Sequence, residues 1–380
     1  MATPHHFLPT PEQELLLKAA LLDGDAAAES WLAWRERINI ENVDFASQRL
    51  LPLLHHRLVS LGVSHADLQR YQSVARFIWL DNHLRIRQIQ EILRLLKKAG
   101  IAAMPLKGFA LASLYYGDFR LRAMNDFDVL VPTDRAADAC HALMAVGWRP
   151  ANQDLLHSGR CWSTRHAIQF QDAQGYEIDL HWHVLYECCW PDADDAFWRH
   201  AQPLQLGAMP TRTLSDTGHL LHACLHGGRP NDVPPIRWIA DAIMILRKGG
   251  VDWDRLLEQG KAFDLVHRLQ RTLGYLHRTF PGALPGGVMA KLESMPPSRR
   301  ERVEERIVSS RTPPVVKSSL LRYCHYQRNY VARGRKEGFR QYLQDAFGTR
   351  SVAGTVQWVA RRAKQGWPGG TPKPLKLHGD

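Results

Sequence analysis

The sequence predicts an α+β protein in which a small mixed sheet is flanked by helical N- and C-terminal regions. Three observations carry the prediction. Apolar residues keep helical spacing as far as Leu96, the period changes abruptly at Ile101, and helical spacing returns after about residue 205. The 380 residues divide accordingly: a helical region over 1–100, an α/β core over 101–205, a second helical region over 206–345, and a basic helix with a disordered tail over 346–380.

Thr10-Pro11-Glu12-Gln13 reads as a capping box with proline at the first helical position, and Gly24 closes the segment it opens. Ser64 opens a long stretch through Leu68, Tyr71, Val74, Ile78, Ile86, Ile89, Leu93 and Leu96, one bent helix or two, which Lys97, Lys98 and Gly100 terminate. AAMPL is a short strand followed directly by Lys107-Gly108, and FALASLYYG is a helix ending at Gly117. DFDVLVP is a strand ended by Pro132, and TDRAADACHALMAVG a helix capped by Thr133 and ended by Gly147. RHAIQFQ and YEIDLHWHV alternate polar and apolar residues on either side of the turn signal DAQG, which predicts a hairpin. Beyond it, HLLHACLHGG, PPIRWIADAIMILRKGG and DWDRLLEQGKAFDLVHRLQRTLGYLHRTF have helical periodicity, and the tail WPGGTPKPLKLHGD is rich in proline and glycine.

The chemistry concentrates in the middle. Side chains alternate sides along a strand, so Asp126 and Asp128 project one way while Phe127 and Val129 project the other. Like charges so placed repel unless a positive group lies between them or one takes a proton. A divalent cation satisfies them, and oxygen donors of this kind suit Mg2+, with Mn2+ as its substitute. Asp179, His181 and His183 fall on one face of YEIDLHWHV. With the hairpin beside the 126–132 strand, Asp179 meets Asp126 and Asp128, and three carboxylates on neighbouring strands could clamp metals for phosphoryl or nucleotidyl transfer.

These residues carry a resemblance. The run PLKGFALASLYYGDFRLRAMNDFDVLVP, followed by EIDLHWHV, resembles the uncharacterised nucleotidyltransferase family of the polymerase-β-like superfamily. The matching positions are Leu106-Lys107-Gly108, Arg122, Asp126 to Val131, and Asp179 to Trp182; HLLHACLH and IRWIADAIMIL resemble the helical segment that follows the catalytic core in such proteins. The resemblance covers most of residues 10 to 250. It implies a nucleotidyltransferase-like core over 101–205 that moves a nucleoside monophosphate from a nucleoside triphosphate to an acceptor hydroxyl and releases pyrophosphate. Asp126 and Asp128 would hold two Mg2+ ions, and Asp179 would bind the catalytic one and help lower the pKa of the attacking hydroxyl. Lys107, Gly108 and Arg122 would face the triphosphate, although Lys107 and Arg122 serve equally well as partners of local carboxylates. The chain departs from the superfamily in having Gly108-Phe109 where Gly-Ser is usual, and in a longer segment from Gly108 to Asp126.

Two other readings fit the same residues: an inactive nucleotide-binding or interaction module of this fold, suggested by the altered Gly108-Phe109 turn, and a metal-dependent phosphohydrolase built on Asp179, His181 and His183. His219, His222 and His226 fall at i, i+3 and i+7 and read as helix-packing residues, since Ala223 stands where a metalloprotease motif needs glutamate. The net charge of +11 favours acidic partners such as nucleotides, nucleic acid or anionic surfaces without choosing among them, and no nucleic-acid-binding motif accompanies it. The basic segment GFRQYLQDAFGTRSVAGTVQWVARRAKQGW reads as solvated amphipathic helices with an apolar packing stripe. The acceptor, whether small molecule, peptide or protein, is not specified by any motif. Six cysteines without a CxxC pair, an N-terminus unlike a signal peptide and no apolar run of membrane-spanning length lead to the expectation of a reduced, cytoplasmic protein.

Overall fold

The computed structural model describes residues 7–124, 126–153, 156, 161–229, 236–310, 314–349 and 351–357. The proline- and glycine-rich tail over 367–380 lies outside them. The fold is α+β, and its sheet occupies the stretch where the periodicity changes.

Helix Pro11–Leu21 begins at the predicted capping box, with Thr10 Oγ1 accepting from Gln13 N at 3.2 Å and Gln13 Oε1 from Thr10 N at 3.1 Å. Gly24 does not close that helix. It adopts a left-handed φ of 57° and opens the next one, Gly24–Arg37. The long apolar stretch forms a single 32-residue helix, Asp67–Lys98, starting three residues later than Ser64. The 252–280 segment breaks into Trp253–Ala262 and Val266–Thr279, because Asp264 takes a φ of 60° and is tied to Arg300 at 2.6 Å. Helices from both ends of the chain share one core, in which Leu16, Leu54, Leu221, Ile239 and Leu269 are wholly buried.

Five strands form the central sheet: β1 (Met104–Pro105), β2 (Phe127–Leu130), β3 (Arg149–Pro150), β4 (Ala167–Gln171) and β5 (Glu177–His181), in the order β1-β2-β5-β4-β3. β2 and β5 run parallel and the other neighbours antiparallel. The β4–β5 hairpin is the predicted one, its turn made by Asp172 Oδ1 accepting from Gln174 N and Tyr176 N at 3.0 and 2.8 Å. A second hairpin, β6 (Gln202–Leu206) and β7 (Met209–Thr213), has no counterpart in the predicted elements, because its alternation is broken by prolines and its strands are half exposed. Thr133 does not cap the helix that follows β2: its Oγ1 donates to Trp182 O at 2.9 Å and ties the end of β2 to the end of β5.

One face of β2 and β5 presents Phe127, Val129, Ile178 and Leu180 to Ile89, Ile92 and Leu96 of the long helix and to Ala139 and Leu143. Each such side chain contributes about 1.5–3 kcal/mol on burial. A slip of one residue would turn all of them to the opposite face, so the core fixes the register. That register pairs Phe127 with Ile178, Asp128 with Asp179, Val129 with Leu180 and Leu130 with His181.

The long segment between Gly108 and β2 is held from two sides. Residues 107–111 form a helix that widens into a π-turn over Ala112–Tyr116 and stops at Gly117, which has a φ of 68°. Asn82 of the long helix then donates to Phe119 O and Arg122 O at 2.6 and 2.8 Å and accepts from Met124 N at 3.0 Å. From the other side, Arg122 makes a buried two-point ion pair with Asp241, at 2.7 and 2.8 Å, which also accepts from Tyr116 OH at 2.8 Å. Removing one member of such a pair strands a buried charge. Arg122→Met should therefore lower the urea unfolding free energy by about 3–5 kcal/mol, and adding Asp241→Leu should recover part of the loss. A single variant as stable as the wild type would show that this pair does not anchor the loop.

Candidate functional site

The register brings two carboxylates side by side at the centre of the sheet. Asp128 and Asp179 are Cα partners on β2 and β5, and His181 follows Asp179 by two residues on the same face. Ligand atoms of Asp128, Asp179 and His181 all lie within 4.8 Å of one another. His181 Nε2 stands 2.9 Å from Asp128 Oδ1, and Lys107 Nζ donates to the same oxygen at 2.6 Å.

Asp128 is only 2 % exposed, and burial alone would push its pKa up. Lys107 and His181 overcome that and hold the carboxyl well below the usual carboxylate range. Asp179 has no such contact among the described residues: burial first, and then the negative charge of Asp128, push it up to about 6. Burial and Asp128 raise Asp126 as well. The Lys107 ammonium is kept charged against burial by Asp128, Asp126 and Asp179. It is the positive group that a pair of adjacent carboxylates requires, and Lys107 adopts an unusual φ of 38° to provide it.

The sequence-derived residues do not all arrive. Asp126 lies one residue before β2, in the field of Asp128, Lys107 and Arg85, and its carboxyl does not join the group formed by Asp128, Asp179 and His181. Arg122 points its Nε and Nη2 at Asp241, so its charge is balanced away from the carboxylates; Nη1 has no partner among the described residues. Gly108 needs no left-handed backbone. A Cβ there would come within 3.1 Å of Met124 Cγ and 3.5 Å of Arg122 Nη1, so glycine lets this turn pack against the loop entering β2. Phe109, in the place of the usual serine, is a core residue stacked on Phe119 at 5.6 Å.

His183 corrects the expectation of a shared face. The strand ends at His181, and the chain turns His183 toward Asp194, with Nδ1 2.6 Å from Oδ2. The pair lies beside a separate cavity of about 570 Å3 whose walls include Thr133, Trp162 and Trp198. The Asp/His group imagined for a phosphohydrolase is thus split between two places.

Sequence reasoning missed the surroundings of the carboxylates. His166 lies edge-on to His181 at 5.1 Å, and Glu187 is clasped by Arg229 at 3.0 and 2.8 Å and by Arg268. His222 and His226, packing residues by the sequence pattern, both stand in the field of Lys107 and Asp128. Their i, i+4 spacing was the available signal.

The sheet and its acidic face define a nucleotidyltransferase core. The profile of the family described as uncharacterised nucleotidyltransferase matches residues 45–281, and the chain belongs to that family. No curated protein matches. Among solved structures, the chain is similar to the antibiotic-resistance factor ANT(2'')-Ia in a solution structure, at 14 % identity over 52 % of this chain and 97 % of that one, with a TM-score of 0.34. It is also similar to an antigenic nucleotidyltransferase-like protein from Paracoccidioides brasiliensis, at 17 % identity over 55 % of this chain and 91 % of the other, with a TM-score of 0.36. Among the described residues no helix is long and apolar enough to cross a membrane.

Burial also holds several imidazoles neutral, and it lowers His219 to about 3 and His325 to about 4. Below about pH 6.5 the unfolded chain takes protons that these native rings refuse, so stability falls by about 1.4 kcal/mol per pH unit for each ring. His219→Gln removes one ring's share. Its urea midpoint should fall less steeply than that of the wild type from about pH 6.5 to pH 4.5; parallel curves would contradict the assignment.

Proposed function

We propose that the chain transfers a nucleoside monophosphate from a nucleoside triphosphate to an acceptor hydroxyl and releases pyrophosphate. The observation that carries this reading is the meeting of Asp128, Asp179 and His181 within 4.8 Å on two parallel strands, in a chain of a nucleotidyltransferase family. The donor set fits a divalent cation: two carboxylates and an imidazole, with a lysine ammonium already resting on one carboxylate oxygen. Asp128 and Asp179 would hold Mg2+ or Mn2+, with His181 as a nitrogen donor, while Asp126, two residues before Asp128, stands outside this group and would add only its charge. Such a cation would neutralise triphosphate charge and ease ionisation of the attacking hydroxyl.

The chain's own residues account for the rest. Lys107 can exchange its contact with Asp128 for a phosphate oxygen without leaving the site. Asp179 would help the attacking hydroxyl give up its proton to solvent as the acceptor oxygen bonds to the α-phosphorus. The bond from that phosphorus to the bridging oxygen breaks, and pyrophosphate leaves with the electron pair.

Asp179→Asn separates function from folding. It removes a charge that burial and Asp128 both disfavour, so the metal-free variant should unfold at the same urea concentration as the wild type or a higher one at pH 8. Pyrophosphate release, assayed with each nucleoside triphosphate, Mg2+ or Mn2+ and a panel of hydroxyl acceptors, should fall about a thousand-fold. Release unchanged in a folded Asp179→Asn variant would remove this carboxylate from the chemistry.

A further inference from the structure

Helix Asp216–Gly227 carries histidines of two kinds. His219 is a packing residue, with Nε2 3.3 Å from Thr213 Oγ1 and its ring edge-on to Tyr115 at 5.6 Å. His222 and His226 contact each other, at 5.6 Å between ring centroids, and neither has a hydrogen-bond partner among the described residues. His222 is nonetheless only 4 % exposed. The ring nitrogens of neither histidine are among the fully enclosed, unpartnered atoms of the described residues. A helix face that only had to pack would carry leucine there, as Leu220, Leu221 and Leu225 show elsewhere on this helix.

The helix is placed against the segment that begins at Lys107: Tyr115 OH, in the π-turn of that segment, donates to Asp216 Oδ1 at 2.6 Å. Thr213 Oγ1, beside His219 on this helix, donates to Pro105 O at 2.7 Å, two residues before Lys107, and both rings stand in the field of Lys107 and Asp128, with His181 also acting on His222, and Arg229 and Glu187 on His226. Burial first and Lys107 second keep both rings neutral, each with one N–H donor and one acceptor nitrogen. A second cation fits this place poorly, because neither ring joins the group of Asp128, Asp179 and His181 and the Lys107 ammonium stands close by. An anion fits it well. It pairs with Lys107, receives the ring N–H groups, and favours protonation of the rings so that more nitrogens become donors.

We infer that His222 and His226, with Lys107, form the seat of a polyphosphate chain, the part of the nucleotide that departs as pyrophosphate. This inference rests on the transferase reading of the neighbouring carboxylates. It assigns the helical region after the core a direct part in substrate binding.

Inorganic tripolyphosphate is the probe, titrated calorimetrically into the full chain and its His222→Gln, His226→Gln and His219→Gln variants. The first two should each weaken binding about ten-fold or more, as expected for a lost hydrogen bond to a charged group, and His219→Gln should not. Equal affinity in all four proteins overturns the inference, as does absence of binding by the wild type. A second measurement needs no variant. Deuterium exchange at the imidazole C2 position, resolved by peptide fragmentation in a mass spectrometer, should change at His222 and His226 on adding tripolyphosphate and stay constant at His219. No change at the two rings while tripolyphosphate is bound overturns the inference. If pyrophosphate is released normally but tripolyphosphate affinity ignores both histidines, the polyphosphate seat is wrong and the transferase reading stands. Histidine-dependent tripolyphosphate binding without release from any nucleotide would sink the transferase reading and leave an anion seat.

Discussion

The parallel pairing of β2 with β5 is the constraint on which the site depends. Phe127, Val129, Ile178 and Leu180 must all face the core under the long helix, and only one register allows it. That register leaves Asp128 and Asp179 adjacent on the opposite face. The electrostatic penalty of placing them there is small beside the four apolar side chains that set the alignment. The carboxylate pair is therefore a consequence of the hydrophobic pattern, and the residues around it answer the charge it creates.

Those answers come from distant parts of the chain. Lys107 enters from the turn after β1, His181 from the end of β5, and the imidazoles of His222 and His226 from the helix Asp216–Gly227 beyond the second hairpin. The loop that delivers Asp126 and β2 is fixed by Asn82 on one side and by Asp241 on the other. Two helices, one before the sheet and one after it, thus position the same segment. This is why N-terminal and C-terminal helices share a core instead of forming separate bodies on either side of the sheet.

Much of this was legible in the sequence, for identifiable reasons. Alternation of DFDVLVP and EIDLHWHV gave the two strands, and period-two geometry put Asp179 on the face of Asp128. The hairpin turn followed from DAQG. What could not be read were the places where tertiary contacts decide. His183 leaves the strand face because Asp194 captures it, and Thr133 serves Trp182 rather than a helix cap. Arg122 is drawn to Asp241, 119 residues away, a pairing that no local pattern announces. Gly108 looked like a phosphate-approach glycine, whereas its lack of a side chain first of all clears Met124. The histidines of HLLHACLH were visible as a pattern, but whether they packed or faced a site depended on which segment the helix met.

The central claim is that the group formed by Asp128, Asp179 and His181 is a cation site at which Lys107 supplies the balancing charge. Mn2+ titration followed by electron paramagnetic resonance reads that site directly in the full chain. The account predicts saturable Mn2+ binding in the wild type that is lost in a folded Asp128→Asn variant and strengthened in Lys107→Met, where the competing ammonium is gone. Mn2+ binding that is indifferent to Asp128, or absent from both the wild type and Lys107→Met, would contradict it.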